Sequence, residues 1–509
     1  MAITSFTYII FVLLGGLVYY LIPKSWQWIE LLVLSVLLYC VMAKPYTIIF
    51  LIIATLVAYV ATNYFVSKKK SQVLITVSIL MIIGLWFLIN GTALWKPVFH
   101  KVGNAIPLFE KFTSFPIISV LGMGYYTVQL VGYVLDCYWG NIQPQKNLLK
   151  LFLFTCFFPQ LTTGPISRYE QLSSLYEKHA FSYTNISFGA QRILWGFFKK
   201  LVLAERVGII VNGIWDNYSA YTGVYEWMAL LLFPIQMYAD FSGCMDIVIG
   251  TAEIFGIKLT ENFNNPFFSR TNQEFWQRWH ITLGTWAKDY VLYPILKASP
   301  MIKFSRFAKK RFGKKMGKFL TTATGMFCLW MVMGIWHGAP KYIIGVSLWY
   351  WILLMLGELF SPYLKKISIW LKVPTESFSW HLFQSVRTYI IYAVGAMFFR
   401  APTIKDAVCF SARLLDAFSK EKGNPWVLFD GSILGFGITY SDINIMIFAI
   451  FLLIIVGILR EKHMYARNWV SKQMLPFRWL IWYGLFLIVL IYGKYGPGYN
   501  AAAFIYQGF

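Results

Sequence analysis

Apolar runs of bilayer length, recurring along the chain, constrain its fold more than any other feature. Residues 5–22, 46–66, 73–89, 227–237 with their flanks, 319–336, 342–356, 445–459 and 479–492 are dominated by aliphatic and aromatic side chains. A helix needs about 20 apolar residues to cross the hydrocarbon layer. Shorter or polar-interrupted runs lie at 26–43, 115–135, 148–158 and 389–398. The pattern predicts an all-α, polytopic transmembrane helical protein of roughly ten to twelve spans, some re-entrant, because a helix satisfies its own backbone in lipid. Composition agrees: 58% of the 509 residues are hydrophobic and 13% charged, against about 25% charged in soluble domains. A large soluble core is excluded.

The first run reads as a retained membrane helix. Residues 1–6 carry no Lys or Arg, and 23–28 offer no small-residue cleavage pattern, so a cleavable signal peptide is not indicated. The absence of a long hydrophilic stretch argues against a separate secreted domain.

Forty-five basic against 22 acidic residues leave a net charge of +23. The basic residues gather at the ends of apolar runs, as in Lys68, Lys69 and Lys70, Lys199 and Lys200, and Lys365 and Lys366. The densest stretch holds Lys303, Arg306, Lys309, Lys310, Arg311, Lys314, Lys315 and Lys318, with no acid among them. Short basic loops stay cytoplasmic and attract anionic lipid head groups. No nucleic-acid module is recognisable, so the charge does not point to nucleic acid. Lys68–Lys70 in the cytoplasm sets the N-terminus outside, and residues 91–116 then form an external loop or interfacial helix. Cys40, Cys137, Cys156, Cys244, Cys328 and Cys409 are scattered and form no C-x-x-C pair. They indicate neither a disulfide frame nor a zinc site, and read as small buried residues.

From about 157 to 339 the apolar runs are broken by Gly, Pro, Trp and polar residues. Asp240, Asp246 and Glu253 interrupt one such run. Ionisable groups and broken backbone at membrane depth face protein or a watery cavity, so this middle third reads as a core with a cavity. No internal repeat supports an inverted-repeat transporter. Of six histidines, two sit in unusual company, each directly after a Trp: His280 in Glu274-Phe-Trp-Gln-Arg-Trp-His280 and His337 in Met333-Gly-Ile-Trp-His-Gly-Ala339. His337 closes a long uncharged run. Gly334 and Gly338 beside it permit close approach of backbone or substrate. A neutral imidazole there accepts a proton from a hydroxyl at neutral pH; the competing reading is a structural histidine with both nitrogens bonded. For His280 the choice stays open. Glu274 and Arg278 form an i,i+4 pair that stabilises a surface turn, and Trp276, Trp279 and Trp286 suit an interfacial helix equally well. H-E-x-x-H, G-x-S-x-G, Walker and dinucleotide patterns are absent, which leaves a histidine base acting on an activated acyl donor.

Five motifs occur in order: Phe157-Phe-Pro-Gln-Leu-Thr-Thr-Gly-Pro-Ile-Ser-Arg168, Tyr238-Ala-Asp-Phe-Ser-Gly-Cys-Met-Asp246, Glu261-Asn-Phe-Asn-Asn-Pro266, Phe275-Trp-Gln-Arg-Trp-His280 and Ile335-Trp-His-Gly-Ala339. Together they resemble the membrane-bound O-acyltransferase superfamily in its bacterial cell-envelope branch. Phe398-Phe-Arg-Ala401 and the tail from Tyr495 to Phe509 resemble the alginate-type members. Cys244 and Gln277 depart from the residues common there.

The resemblance implies a ring of tilted helices around a thinned centre with a tunnel. It implies one membrane domain over 1–509, with a catalytic core at about 115–400 between packing helices 1–114 and 401–509. His337 matches the superfamily's membrane histidine and His280 the second histidine of the bacterial branch, so both are the expected catalytic residues. Trp336, Trp279, Trp276, Arg278, Asp240, Ser242, Asn262, Asn264 and Arg168 are the expected substrate-binding set, and Asn262, Asn264, Trp279 and Trp336 the oxyanion donors. The implied activity is O-acyl transfer, acetyl from acetyl-CoA or another activated acyl donor, to a polysaccharide outside a bacterial plasma membrane. No bound cofactor or metal is implied, and an SGNH-hydrolase-like extracytoplasmic partner is. D-alanyl transfer to teichoic acid from an acyl carrier protein is the alternative; a lipid or polysaccharide transporter and a scaffold are the readings of other classes. If Lys318 marks the cytoplasmic end of the helix reaching Trp336, a rise of about 1.5 Å per residue puts His337 roughly 28 Å away, near the outer surface or the floor of an external funnel. His280 then lies nearer the cytoplasm, on the donor side.

Overall fold

In a computed structural model, residues 2–69, 71–103, 120–221, 223–418, 426 and 429–496 are described. Lys70, residues 115–119 of the run 115–135, residues 104–116 of the predicted external segment and residues 497–509 of the tail motif lie outside them. Among the described residues, nine helices are long and apolar enough to cross a membrane, from Lys24–Met42 to Leu475–Tyr492. Two runs expected to span form shorter apolar helices, Phe6–Leu21 and Leu148–Gln160. The first ends where Pro23 follows, the second at the break around Pro159. Many helices are apolar on the outside as well as the inside: in Leu475–Tyr492, Leu480, Leu490 and Ile491 are exposed and Leu485 is buried. Side chains this apolar all round suit lipid contact. The chain is a multi-pass, all-α membrane protein.

The described backbone groups into two compact units. One comprises Met1–Leu201, Asp240–Glu261 and Val470–Phe509; the other comprises Val202–Ala239 and Asn262–Trp469. In the first, the largely buried helix Met123–Trp139 packs against Ile48–Val60 and Gln72–Asn90. Buried hydroxyls tie helices together, Tyr39 to Thr47 at 2.9 Å and Thr55 to Thr155 at 3.1 Å. Glycines at seven-residue spacing bring two segments into backbone contact. A Cβ on Gly189 would lie 2.5 Å from the carbonyl oxygen of Gly250, and one on Gly196 would lie 2.6 Å from that of Gly243. Such small residues allow close helix approach in membranes.

This seam carries buried ion pairs. The turn Phe198–Ala204 is a π-helix, a wider turn than the α-helix. From it Lys200 reaches Asp240 at 2.6 Å, and Lys199 reaches Asp246 at 2.7 Å and Ser242 at 2.8 Å. Arg192 adds contacts to Asp246 at 3.0 Å and to Glu261 at 2.6 Å. Two of the acids read from sequence as facing a cavity therefore face basic side chains, because charge at this depth needs a partner.

The second unit holds the helices Ser299–Trp336, Trp349–Trp370, Phe378–Arg400 and Tyr440–Glu461. Ser299–Trp336 is broken at Gly313, with φ 80° and ψ 163°, a region essentially reserved for glycine. The chain doubles back there: a Cβ on Gly317 would lie 2.5 Å from the Cα of Lys309. The basic stretch is thus a helical hairpin. A cavity of about 400 Å³ opens beside it, lined in part by Ser305, Arg306, Lys309, Lys318, Thr321 and Thr322.

Candidate active site

His280 sits at a junction that sequence alone does not display. The short helix Asn272–Arg278 begins at Thr271, whose hydroxyl accepts from the Glu274 N–H at 3.1 Å, while the Glu274 carboxylate accepts from the Arg270 N–H at 2.8 Å. After it, the chain extends and pairs with residues 262–264 in a minimal antiparallel ladder. Phe263 bridges Trp279, the Asn264 N–H donates to the Arg278 carbonyl at 2.9 Å, and the Ile281 N–H donates to the Asn262 carbonyl at 3.0 Å. His280 then turns into the left-handed region, with φ 46°. Such a conformation is uncommon for a residue with a Cβ and costs on the order of 1–3 kcal/mol, which the surrounding pairing must hold in place. The same geometry buries the ring against Asn262, whose Oδ1 lies 3.2 Å from His280 Nδ1. That oxygen also accepts from the Thr282 N–H at 3.1 Å and the Thr282 hydroxyl at 2.8 Å.

His337 is the residue at which the second arm of the hairpin ends. Gly338, with φ 80°, follows as a left-handed stop. Gly334 lets the next segment pack tightly, since a Cβ there would lie 2.0 Å from Ser347 Oγ and 3.0 Å from the Tyr342 carbonyl oxygen. Ser347 in turn donates to the Trp330 carbonyl at 2.6 Å. The His337 ring meets Tyr342 and Phe399, at centroid distances of 5.3 and 5.2 Å. Lys341 steadies that wall by donating to the Ala401 carbonyl at 2.8 Å.

One indole joins the two histidines. Trp336 lies 5.0 Å from the His337 ring and 6.3 Å from the His280 ring, both edge-on. Both imidazoles are buried, 3% exposed at His280 and 4% at His337. Both also lie in connections rather than in spans. Burial pushes each pKa down to about 3, with proximity to His280 the second and smaller cause at His337. The rings are therefore neutral at physiological pH. Since both flank one indole, the separation in depth expected from the helix rise does not divide them across the bilayer.

The other expected residues fall into groups. Trp276 packs on Trp330 at 4.9 Å and Tyr350 at 4.6 Å. Trp279 packs on Phe263 and Tyr392, both at 5.0 Å. Trp279 and Trp286 are buried, so the interfacial-helix reading fails for them: Trp279 belongs to the aromatic wall beside His280, and Trp286 packs on Tyr290 at 5.5 Å. Arg278 is held by Glu274 at 2.7 Å and Glu461 at 2.6 Å. Asn264 is exposed and contributes its backbone to the ladder. Asp240, Ser242 and Arg168 belong to the other compact unit, the first two bound to Lys200 and Lys199. Tyr342, Phe399 and Thr282 were not expected near the histidines. Phe399, inside the motif Phe398-Phe-Arg-Ala401, and Thr282, a hydroxyl two residues after His280, each left a trace in the sequence.

Fold and site thus define a polytopic helical membrane protein with two buried, neutral imidazoles at one aromatic wall. The sequence profile of the membrane-bound O-acyltransferase family matches residues 144–370, which contain all five motifs. A teichoic acid D-alanyltransferase of Bacillus subtilis is 31% identical over 291 residues, 52% of this chain and 68% of that protein. The chain belongs to the membrane-bound O-acyltransferase family. A peptidoglycan O-acetyltransferase of Helicobacter pylori is 25% identical over 431 residues, 76% of this chain and 73% of that protein. A probable alginate O-acetylase of Pseudomonas syringae is 27% identical over 298 residues, 58% of this chain. The match spans about half the length of that relative, 52%.

Proposed function

We propose that this protein moves an acyl group, acetyl before others, from a cytoplasmic thioester such as acetyl-CoA across the membrane to an acceptor hydroxyl, towards the modification of an extracellular polysaccharide. The observation that carries the reading is the pair of buried neutral imidazoles on either side of Trp336. In the proposed step, the acceptor oxygen attacks the acyl carbon while His337 takes the hydroxyl proton as general base. The oxygen–carbon bond forms, and the negative charge passes to the former carbonyl oxygen, for which Trp336, between the two imidazoles, is the candidate donor. The carbon–sulfur bond then breaks, and the imidazolium returns its proton to the departing thiolate. His280 serves the donor side. The hairpin cavity with Arg306, Lys309 and Lys318 lies, in this reading, on the cytoplasmic face, where it gathers anionic donor and anionic lipid. An SGNH-hydrolase-like partner outside the membrane completes the modification of the polymer.

A second reading is D-alanyl transfer to teichoic acid, favoured by the identity to the Bacillus subtilis protein. Donor choice separates them. Purified protein incubated with acyl-labelled acetyl-CoA, or with a D-alanyl-loaded carrier protein, should release the acyl group from acetyl-CoA. Release from the carrier alone moves the assignment to the second reading, and release from neither overturns both.

A further inference from the structure

We infer that Asn262 is a positioning residue that locks His280 with its proton on Nδ1, so that Nε2 meets the acyl donor as a hydrogen-bond acceptor. The inference rests on the reading of His280 as a donor-side residue, and it changes what that residue can do there.

The orientation of the Asn262 amide is settled by its neighbour. A backbone N–H can only donate, and the Thr282 N–H points at the Asn262 side chain from 3.1 Å. The atom facing it must be the oxygen; turning the amide over would set two donors against each other. The Thr282 hydroxyl, 2.8 Å away, donates to the same oxygen. That oxygen is also what His280 Nδ1 faces at 3.2 Å, so Nδ1 must carry hydrogen. A neutral imidazole has one N–H, and the lone pair is therefore on Nε2. Burial keeps the ring neutral. The other titratable ring facing this one is His337; Arg278, two residues earlier, is turned to Glu274 and Glu461.

Two consequences follow. Asn262 Oδ1 is taken up as acceptor by Thr282 and His280, so Asn262 acts through His280. Equally, neutral His280 cannot polarise a thioester carbonyl from Nε2. It holds an N–H of the donor, such as an amide on the arm that carries the thioester. The local fold supports this arrangement, since the ladder between 262–264 and 278–281 and the left-handed backbone at His280 fix the ring against Asn262.

The test uses ¹⁵N-histidine-labelled full-length protein, with His280→Asn to assign the signal; asparagine tolerates the left-handed backbone. In the wild type, His280 should show a protonated Nδ1 and an unprotonated Nε2, and the reverse pattern overturns the proposal. Asn262→Asp keeps the acceptor and adds a negative charge that stabilises protonated His280. Its transfer rate should lie within about threefold of wild type at pH 8, with the acid limb moved up by about one pH unit or more. Asn262→Leu, lacking the acceptor, should lose about tenfold or more. Loss of transfer in Asn262→Asp at every pH would mark Asn262 as a direct oxyanion donor. Lowered thermal stability in both variants with an unmoved acid limb would mark it as purely structural. Either result contradicts the proposal. If His280→Asn transfers at the wild-type rate, the donor-side reading of His280 fails instead, whatever the tautomer.

Discussion

At the scale of residues, two imidazoles are kept neutral by burial. A base with a depressed pKa is competent above that value and loses activity only as pH falls through it. With both rings near 3, the transfer rate should change by less than about twofold between pH 8 and pH 5, whereas an ordinary imidazole is half-protonated near 6.5. Rates measured with labelled donor across that range check this, and a limb centred near 6.5 would contradict the neutral pair. The same shift works against the fold in acid. Below about 6.5 the unfolded chain binds protons that the buried rings refuse, so stability falls progressively between there and about 3. His337 was legible in the sequence because an imidazole ending a long uncharged run, flanked by glycines, has few structural reasons to be there. His280 was not separable from a surface histidine until its motif was compared with a family. The reason is physical: what buries it is a ladder between 262–264 and 278–281, too short to leave a period in the sequence.

At the scale of elements, spans are read from apolar length; nine of the described helices meet it because hydropathy and helix length are the same constraint in lipid, whereas 6–21 and 148–160 form shorter helices. Local departures from the α-helix were not readable. The turn at Gly313 hides inside a run of lysines, and the π-helix Phe198–Ala204 has no composition of its own. Yet the π-helix presents two adjacent lysines to Asp240 and Asp246, which is why acids flagged as cavity-lining prove to be ion-paired. Lys200 and Asp240 are almost fully buried, 4% and 1% exposed at the side chain. Removing one partner takes a buried compensating charge away from the other, at a cost of about 3–5 kcal/mol. Lys200→Met should therefore lower the unfolding temperature in detergent markedly, and adding Asp240→Leu should restore most of the loss. A double variant no more stable than the single one would show that the pair is not what the seam depends on.

At the scale of the whole molecule, apolar surface, basic charge and the histidine pair point to one task. Outward-facing leucines and isoleucines suit lipid contact, and the hairpin concentrates positive charge beside a cavity. Trp336 places both imidazoles at one wall. Family membership gives the class of chemistry. The most direct measurement is the base-labile, ester-linked acyl content of the envelope in cells whose own copy is replaced by His337→Ala. The account predicts a fall of about 100-fold or more relative to wild type, to the level of cells lacking the protein, with the variant inserted and accumulating normally. Acyl content near the wild-type level would contradict it.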